Sequence, residues 1–217
     1  MCMMQFDWLL QDVPDKKDAE QIKERMHRLV APLGVCMHKA FLLGERGLIL
    51  VARDGARGKI KGCVTLYFYT EKYKVDGLIM DMKTCFAAGM SQWSKTQSAI
   101  MQSKRMAALD AGTKKLHTKH ASTPHIFAQI VAVDPDEQGK GLGKMMMQTV
   151  NAIADEMKLP LYLECDHGKN EAFYMKCGFV NVGTEDLTAS EKSGPAVFKG
   201  LVAMRREVPQ ATVSVPN

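Results

Sequence analysis

His125-Ile126-Phe127-Ala128-Gln129-Ile130-Val131-Ala132-Val133 runs into Asp134-Pro135-Asp136-Glu137 and then into Gln138-Gly139-Lys140-Gly141-Leu142-Gly143-Lys144. The first nine residues are nearly all apolar and rich in β-branched side chains, which is the composition of a buried strand. Asp134-Pro135-Asp136 stops it. From Gly141 to Met157 the residues Leu142, Met146, Val150, Ile153 and Met157 fall on one helical face. The order is therefore strand, glycine-rich turn, amphipathic helix. Glycines 139, 141 and 143 let the backbone approach a ligand with no Cβ in the way. A helix beginning here leaves its first N–H groups unpaired at the positive end of its dipole, a ready-made seat for an anion. Gln138 adds an amide donor, and Lys140 or Lys144 adds a charge.

On the N-terminal side, Asp15 to about Val30 carries Ala19, Ile22, Met26, Leu29 and Val30 at helical spacing. Gly47–Asp54 and Lys59–Thr70 read as the arms of a hairpin around Asp54-Gly55-Ala56-Arg57-Gly58. The stretch from about Asp76 to Lys119 is poor in turn residues and rich in Met, Ala and Gln, which suits two helices; Ser122-Thr123-Pro124 ends it. On the C-terminal side, Pro160–Glu164 predicts a short buried strand and Asn170–Cys177 a short helix. Gly178 is placed to close that helix in the left-handed conformation. Phe179–Gly183 and Ala196–Met204 predict the last two strands, and residues 209–217 a frayed tail. Strands alternating with helices in the second half make the chain α/β or α+β, and 217 residues suit a single domain spanning 1–208 with an insert.

A net charge of +5 with scattered Lys and Arg marks no nucleic-acid surface. No apolar run approaches the roughly 20 residues that cross a bilayer. The opening Met-Cys-Met-Met-Gln-Phe-Asp-Trp has neither the basic nor the apolar region of a signal peptide. Six cysteines without a C-x-x-C pair read as free thiols of a reducing compartment. The expectation is a soluble, cytoplasmic protein, monomer or homodimer, with no nucleic-acid or membrane partner.

The anion seat fits two common nucleotide patterns poorly. A Walker loop needs Ser or Thr after Gly-Lys, and Gly143-Lys144 is followed by Met145; a dinucleotide fingerprint needs glycine where Lys144 stands. The pattern Gln138-x-x-Gly141-x-Gly143 after Val131-Ala132-Val133-x-Pro135 instead resembles motif A of the GNAT superfamily of N-acetyltransferases. Leu161-Tyr162-Leu163-Glu164, followed by Asn170-Glu171-Ala172-Phe173-Tyr174 and Gly178-Phe179, resembles that family's motif B at the expected distance.

The resemblance implies a GNAT-type mixed, mostly antiparallel central sheet flanked by helices, with a helical insert at about 76–122 and a cofactor-binding core at about 125–180. It implies acetyl-CoA as cosubstrate and no metal. Val131, Ala132 and Val133 would meet the pantetheine arm, with the backbone of Val131 and Val133 pairing to its amides. Gln138, Gly139, Lys140, Gly141, Leu142, Gly143 and Lys144 would wrap the pyrophosphate. Asn170 would hydrogen-bond the arm, and the Tyr174 hydroxyl would stand near the sulfur as general acid for the departing thiolate. Asn170 and Tyr174 are four apart, so a helix puts them on one face. A phenol can supply the proton that a thiolate leaving group needs.

A general base must also take a proton from the amine. Glu164 is the first candidate; Asp166, Glu71 and His125 are its rivals. His117-x-x-His120 with His125 matches no zinc spacing and reads as a solvated cluster near a helix end. Cys165 reads as a structural thiol, and Lys114–Lys119 as a solvated helix end. The helical insert, ending in a short Pro-containing segment before the motif-A strand, is similar to that of the puromycin-type, small-molecule branch of the superfamily and favours a small-molecule amine acceptor; its Met80, Met82, Phe86, Met90, Trp93 and Met101 read as an acceptor-pocket lining or a core face. Only five residues precede Phe6-Asp7-Trp8, so the expected sheet begins one strand short or the chain is truncated there. Two other readings remain: a protein or peptide amine acceptor, and a non-catalytic acyl-CoA-binding module.

Overall fold

A computed structural model describes residues 47–70, 104–187 and 200–209. The helix expected over 15–30, the front of the insert with its apolar residues, Glu71 and the tail lie outside them. The described residues form strands β1 (Gly47–Arg53), β2 (Ile60–Tyr69), β3 (His125–Val133), β4 (Leu161–Cys165), β5 (Val180–Asp186) and β6 (Gly200–Arg206). Three helices join them: α1 (Lys104–His120), α2 (Leu142–Met157) and α3 (Lys169–Lys176). The sheet runs β1-β2-β3-β4-β6-β5, and every neighbouring pair is antiparallel except β3 with β4. This is the mixed, mostly antiparallel sheet flanked by helices that the motifs imply.

Alternation along the strands assigns each side chain to one of two helical layers. Val64 and Leu66, Ile126 and Ala128, Leu161, Leu163 and Cys165, and Val202 and Met204 pack with Met146, Met147, Val150 and Ala154 of α2. On the other face Tyr67, Phe127, Tyr162, Leu201 and Ala203 pack with Leu109 and Leu116 of α1. The buried stripe of α2 differs from the expected one: Met147 and Ala154 are fully buried, while Met157 is 43% exposed beyond the last turn on the sheet. Arg206 of β6 holds Asp155 of α2 through two parallel hydrogen bonds of 2.8 and 2.9 Å. Gly178 follows α3 at φ +92°, closing it as expected. The final strands run later than the pattern indicates, to Asp186 and Arg206 rather than Gly183 and Met204.

The histidines are a correction. They do not form a solvated cluster: His125 is 1% exposed and His117 is largely covered. Helix α1 lays His117 on the sheet where β3 begins, and Tyr69 stacks on His125 at 4.8 Å and lies 4.5 Å from His117. Phe127 and Tyr162 complete the group. The His125 Nδ1 meets the Thr123 carbonyl at 2.7 Å, whereas the Nε2 atoms of His117 and His125 are buried without a partner. Sequence alone does not reveal this, because an imidazole packed among rings and one facing water have the same spacing along the chain.

Burial in this apolar layer, reinforced by His125, pushes His117 down to about 4 from the usual 6.5, and burial also lowers His125. Such imidazoles stay neutral in the fold but titrate normally once unfolded, so protons are drawn to the unfolded chain. Stability present above pH 6.5 should therefore be lost as pH falls toward 4, with His117 contributing on the order of 3 kcal/mol at most. Thermal melts across that range check this. His117→Phe should flatten the pH dependence of Tm, and an unchanged slope would exclude His117 as its source.

Candidate active site

Strands β3 and β4 pair through Ile126–Leu161 and Phe127–Tyr162 alone, although both continue beyond. Past those pairs they separate, leaving a split in the sheet that opens toward the C-terminal ends of both strands. A bulge shapes the β3 edge of this split. Thr65 pairs with Ile130 and Leu66 with Ala128, so Gln129 is left over. The Ile126 N–H points to the β4 side, where it donates to the Pro160 carbonyl, yet the Asp134 N–H, an even number of residues on, donates to the Lys61 carbonyl of β2. The extra residue has reversed the alternation. Val131 and Val133 consequently turn their N–H and C=O groups toward the split, while Ala132 gives its own to Cys63. Of the three residues expected along the pantetheine arm, Ala132 thus offers a side chain and no free backbone edge.

At the mouth of the split lies the glycine turn. Gly139 and Gly141 adopt φ of +76° and +85°, conformations that only glycine enters at little cost, and a Cβ on either would meet nothing within 4 Å. The turn is therefore both left-handed and open. Gly141 caps α2 without any side-chain bond, no acidic residue occupies the first turn, and the first helical bond runs from the Met145 N–H to Gly141. The N–H groups of Leu142, Gly143 and Lys144 are the helix's unpaired donors at its positive end. Gly143 packs beside Phe173 and Val133, bringing α2 close to α3 and β3. The Gln138 amide donates to the Val133 carbonyl at 3.2 Å, and Lys140 pairs with Glu137 at 3.3 Å.

Motif B splits its residues between the two faces. Tyr174 lies on α3 in the α2 layer, its ring edge-on to Phe173 and Phe179. Asn170, one turn earlier, donates to Asp166. Glu164 faces the other way, with Tyr162, into the α1 layer. Burial pushes its carboxyl up to about 7 from 4.5, opposed by hydrogen bonds from the hydroxyls of Tyr162, at 2.9 Å, and Thr113 of α1. The Tyr162 and Thr113 contacts were not read from the sequence, though residues 162 and 164 share a strand face by simple alternation. Among the rival bases, Asp166 is 6% exposed and engaged by Asn170, and His125 is closed off beneath Tyr69. Cys165 points into the α2 core. No group of three or more His, Cys, Asp or Glu among the described residues is arranged to hold a metal ion. No described helix is long and apolar enough to cross a membrane.

Residues 105–181 match the family described as the acetyltransferase (GNAT) domain. In structure the chain is similar to a protein from Corynebacterium glutamicum described as histone acetyltransferase HPA2 and related acetyltransferase, at 18% identity and a TM-score of 0.51, over 98% of this chain and 96% of that one. It is also similar to arylalkylamine N-acetyltransferase 2 of Aedes aegypti (14% identity, TM-score 0.52, covering 78% and 77%). A mosquito arylalkylamine N-acetyltransferase like 5b is similar at 16% identity and a TM-score of 0.50, covering 86% and 93%. At these identities the likeness shows a shared fold, and the names divide between a protein acceptor and arylalkylamines. The family match, by contrast, lies within this chain's own sequence and spans both motifs that border the split.

Proposed function

We propose that the chain moves an acetyl group from acetyl-CoA to the primary amine of a small molecule by direct attack on the thioester. The observation that carries this reading is that Glu164 and Tyr174 lie in opposite layers of the sheet, with Glu164 on β4, one of the two strands that part at the split. Direct transfer needs a base where the nucleophile arrives and an acid where the thiol leaves. With the pantetheine arm laid along Val131 and Val133 as an added strand, the thioester lies in the split between those two faces.

In this scheme the N–H groups of Leu142 to Lys144 and the open glycine turn receive the pyrophosphate, and Gln138 gives up Val133 to join them. Asn170 holds the arm from α3. Glu164, titrating near neutral pH, accepts the ammonium proton from the α1 side. The free amine adds to the thioester carbonyl, the C–S bond breaks, and Tyr174 protonates the leaving thiolate. The aromatic layer around Tyr69 and Tyr162 next to Glu164 suits an acceptor with an apolar or aromatic body, as do the two fold relatives named for arylalkylamines.

Thiol release from acetyl-CoA, screened over arylalkylamines, polyamines, aminoglycosides and peptide N-termini, tests the acceptor class. Turnover with small amines supports the proposal, and turnover with peptides alone replaces it with a protein acceptor. No turnover with any amine, together with tight CoA binding, identifies a non-catalytic binding module. Tyr174→Phe should lower kcat roughly ten- to a thousand-fold while the CoA Kd barely moves. Gly141→Asp places a side chain and a negative charge against the phosphates. It should abolish the rise in Tm that CoA produces in the parent protein, and an undiminished rise would remove the turn from the cofactor site.

A further inference from the structure

Glu164 sits where a carboxylate should cease to be one. It is an acidic side chain of the α1 layer near the end of β4, beside Tyr162 and Tyr69. Left alone in such surroundings a carboxyl group takes up a proton and becomes neutral, and a neutral acid cannot deprotonate an ammonium. Two donors oppose this, the Tyr162 hydroxyl at 2.9 Å from Oε1 and the hydroxyl of Thr113.

Neither donor is free to swing away. Tyr162 is 0% exposed and its ring is wedged by His117 at 5.1 Å, Phe127 at 5.7 Å and His125 at 5.8 Å. Thr113 stands one turn before His117 on the same helix, which Leu109 and Leu116 anchor to the sheet. We propose that Tyr162 and Thr113 are positioning residues that hold Glu164 ionised and aimed at the incoming amine. The buried histidine–aromatic group is then the wall that fixes the Tyr162 hydroxyl. A carboxylate has about four lone-pair sites, so two donors leave room for the ammonium. The inference rests on the reading of Glu164 as the base.

The groups that face Glu164 among the described residues are few. Tyr162 comes from its own strand and Tyr69 from β2; burial pushes Tyr69 up to about 12, so it stays a neutral phenol. From α1 come Thr113 and, a turn on, His117, which burial keeps neutral. On β6 the residue opposite Glu164 is Ala203, and Arg205 lies further along beside His125. No fixed cation in this set does the stabilising, so the two hydroxyls must.

Carbon-13 NMR of protein labelled at the glutamate carboxyl reads the titration of Glu164 directly, the resonance being assigned by its loss in Glu164→Gln. Tyr162→Phe, which removes one oxygen and keeps the ring, should shift the midpoint upward by about one pH unit. Thr113→Val should shift it the same way, whereas Thr113→Ser, which keeps the hydroxyl, should leave it at the parent value. An unmoved midpoint in both Tyr162→Phe and Thr113→Val would overturn the proposal. The kcat/KM profile for the best amine separates this from failure of the base itself. If the midpoints move but Glu164→Gln keeps the acidic limb of the parent profile, Glu164 is not the base and both readings fall.

Discussion

Parallel strands that stay in register share hydrogen bonds along their whole length, and β3 and β4 give that up after Ile126–Leu161 and Phe127–Tyr162. Backbone groups beyond those pairs must find other partners, because unpaired polar groups inside a sheet are costly. The bulge at Gln129 concentrates the vacancy on Val131 and Val133, which face the gap, while their neighbours remain bonded to β2. The proposed site is arranged around this one interruption. The glycine turn and the head of α2 lie at its mouth, α3 approaches from one layer, and Glu164 from the other.

The two layers have different characters, and the difference suits their tasks. Against α2 the packing is aliphatic and methionine-rich, a surface that seats a helix and fixes its glycine-capped start. Against α1 the layer holds three tyrosines, a phenylalanine and two histidines among its apolar neighbours. Burying imidazole nitrogens without partners costs stability. In return the rings form a stiff, weakly polar wall in which a carboxylate responds sharply to each hydrogen bond it receives.

Much of this architecture could be read from the chain. The limits of β3 follow from Pro124 and Asp134-Pro135, and those of α2 from the glycine turn and Leu159-Pro160, since these residues act locally on the backbone. The open glycine turn was legible for the same reason: glycine enters positive φ at little cost, as Gly139 and Gly141 do. What could not be read was set by other strands. Whether Val131 or Ala132 faces the gap depends on a bulge defined only against Thr65 and Leu66. The fate of His117 and His125 depends on where α1 lands, and a histidine's charge pattern in sequence does not report its neighbours. The link from Thr113 to Glu164 joins residues about fifty positions apart, and only the fold brings them together.

The bulge gives the edge that faces the split an unusual dependence on chain length. Substituting Gln129 changes a side chain that already points to solvent and leaves the strand's count intact. Removing it restores strict alternation from Ile126 onward, turning the peptide groups of Val131 and Val133 toward β2 and presenting those of Ala132 instead. The same loss would move the glycine turn nearer by one residue's rise, about 3.3 Å. The edge is thus encoded by a number of residues more than by their identity, and homologous strands can diverge widely in composition so long as that count is kept.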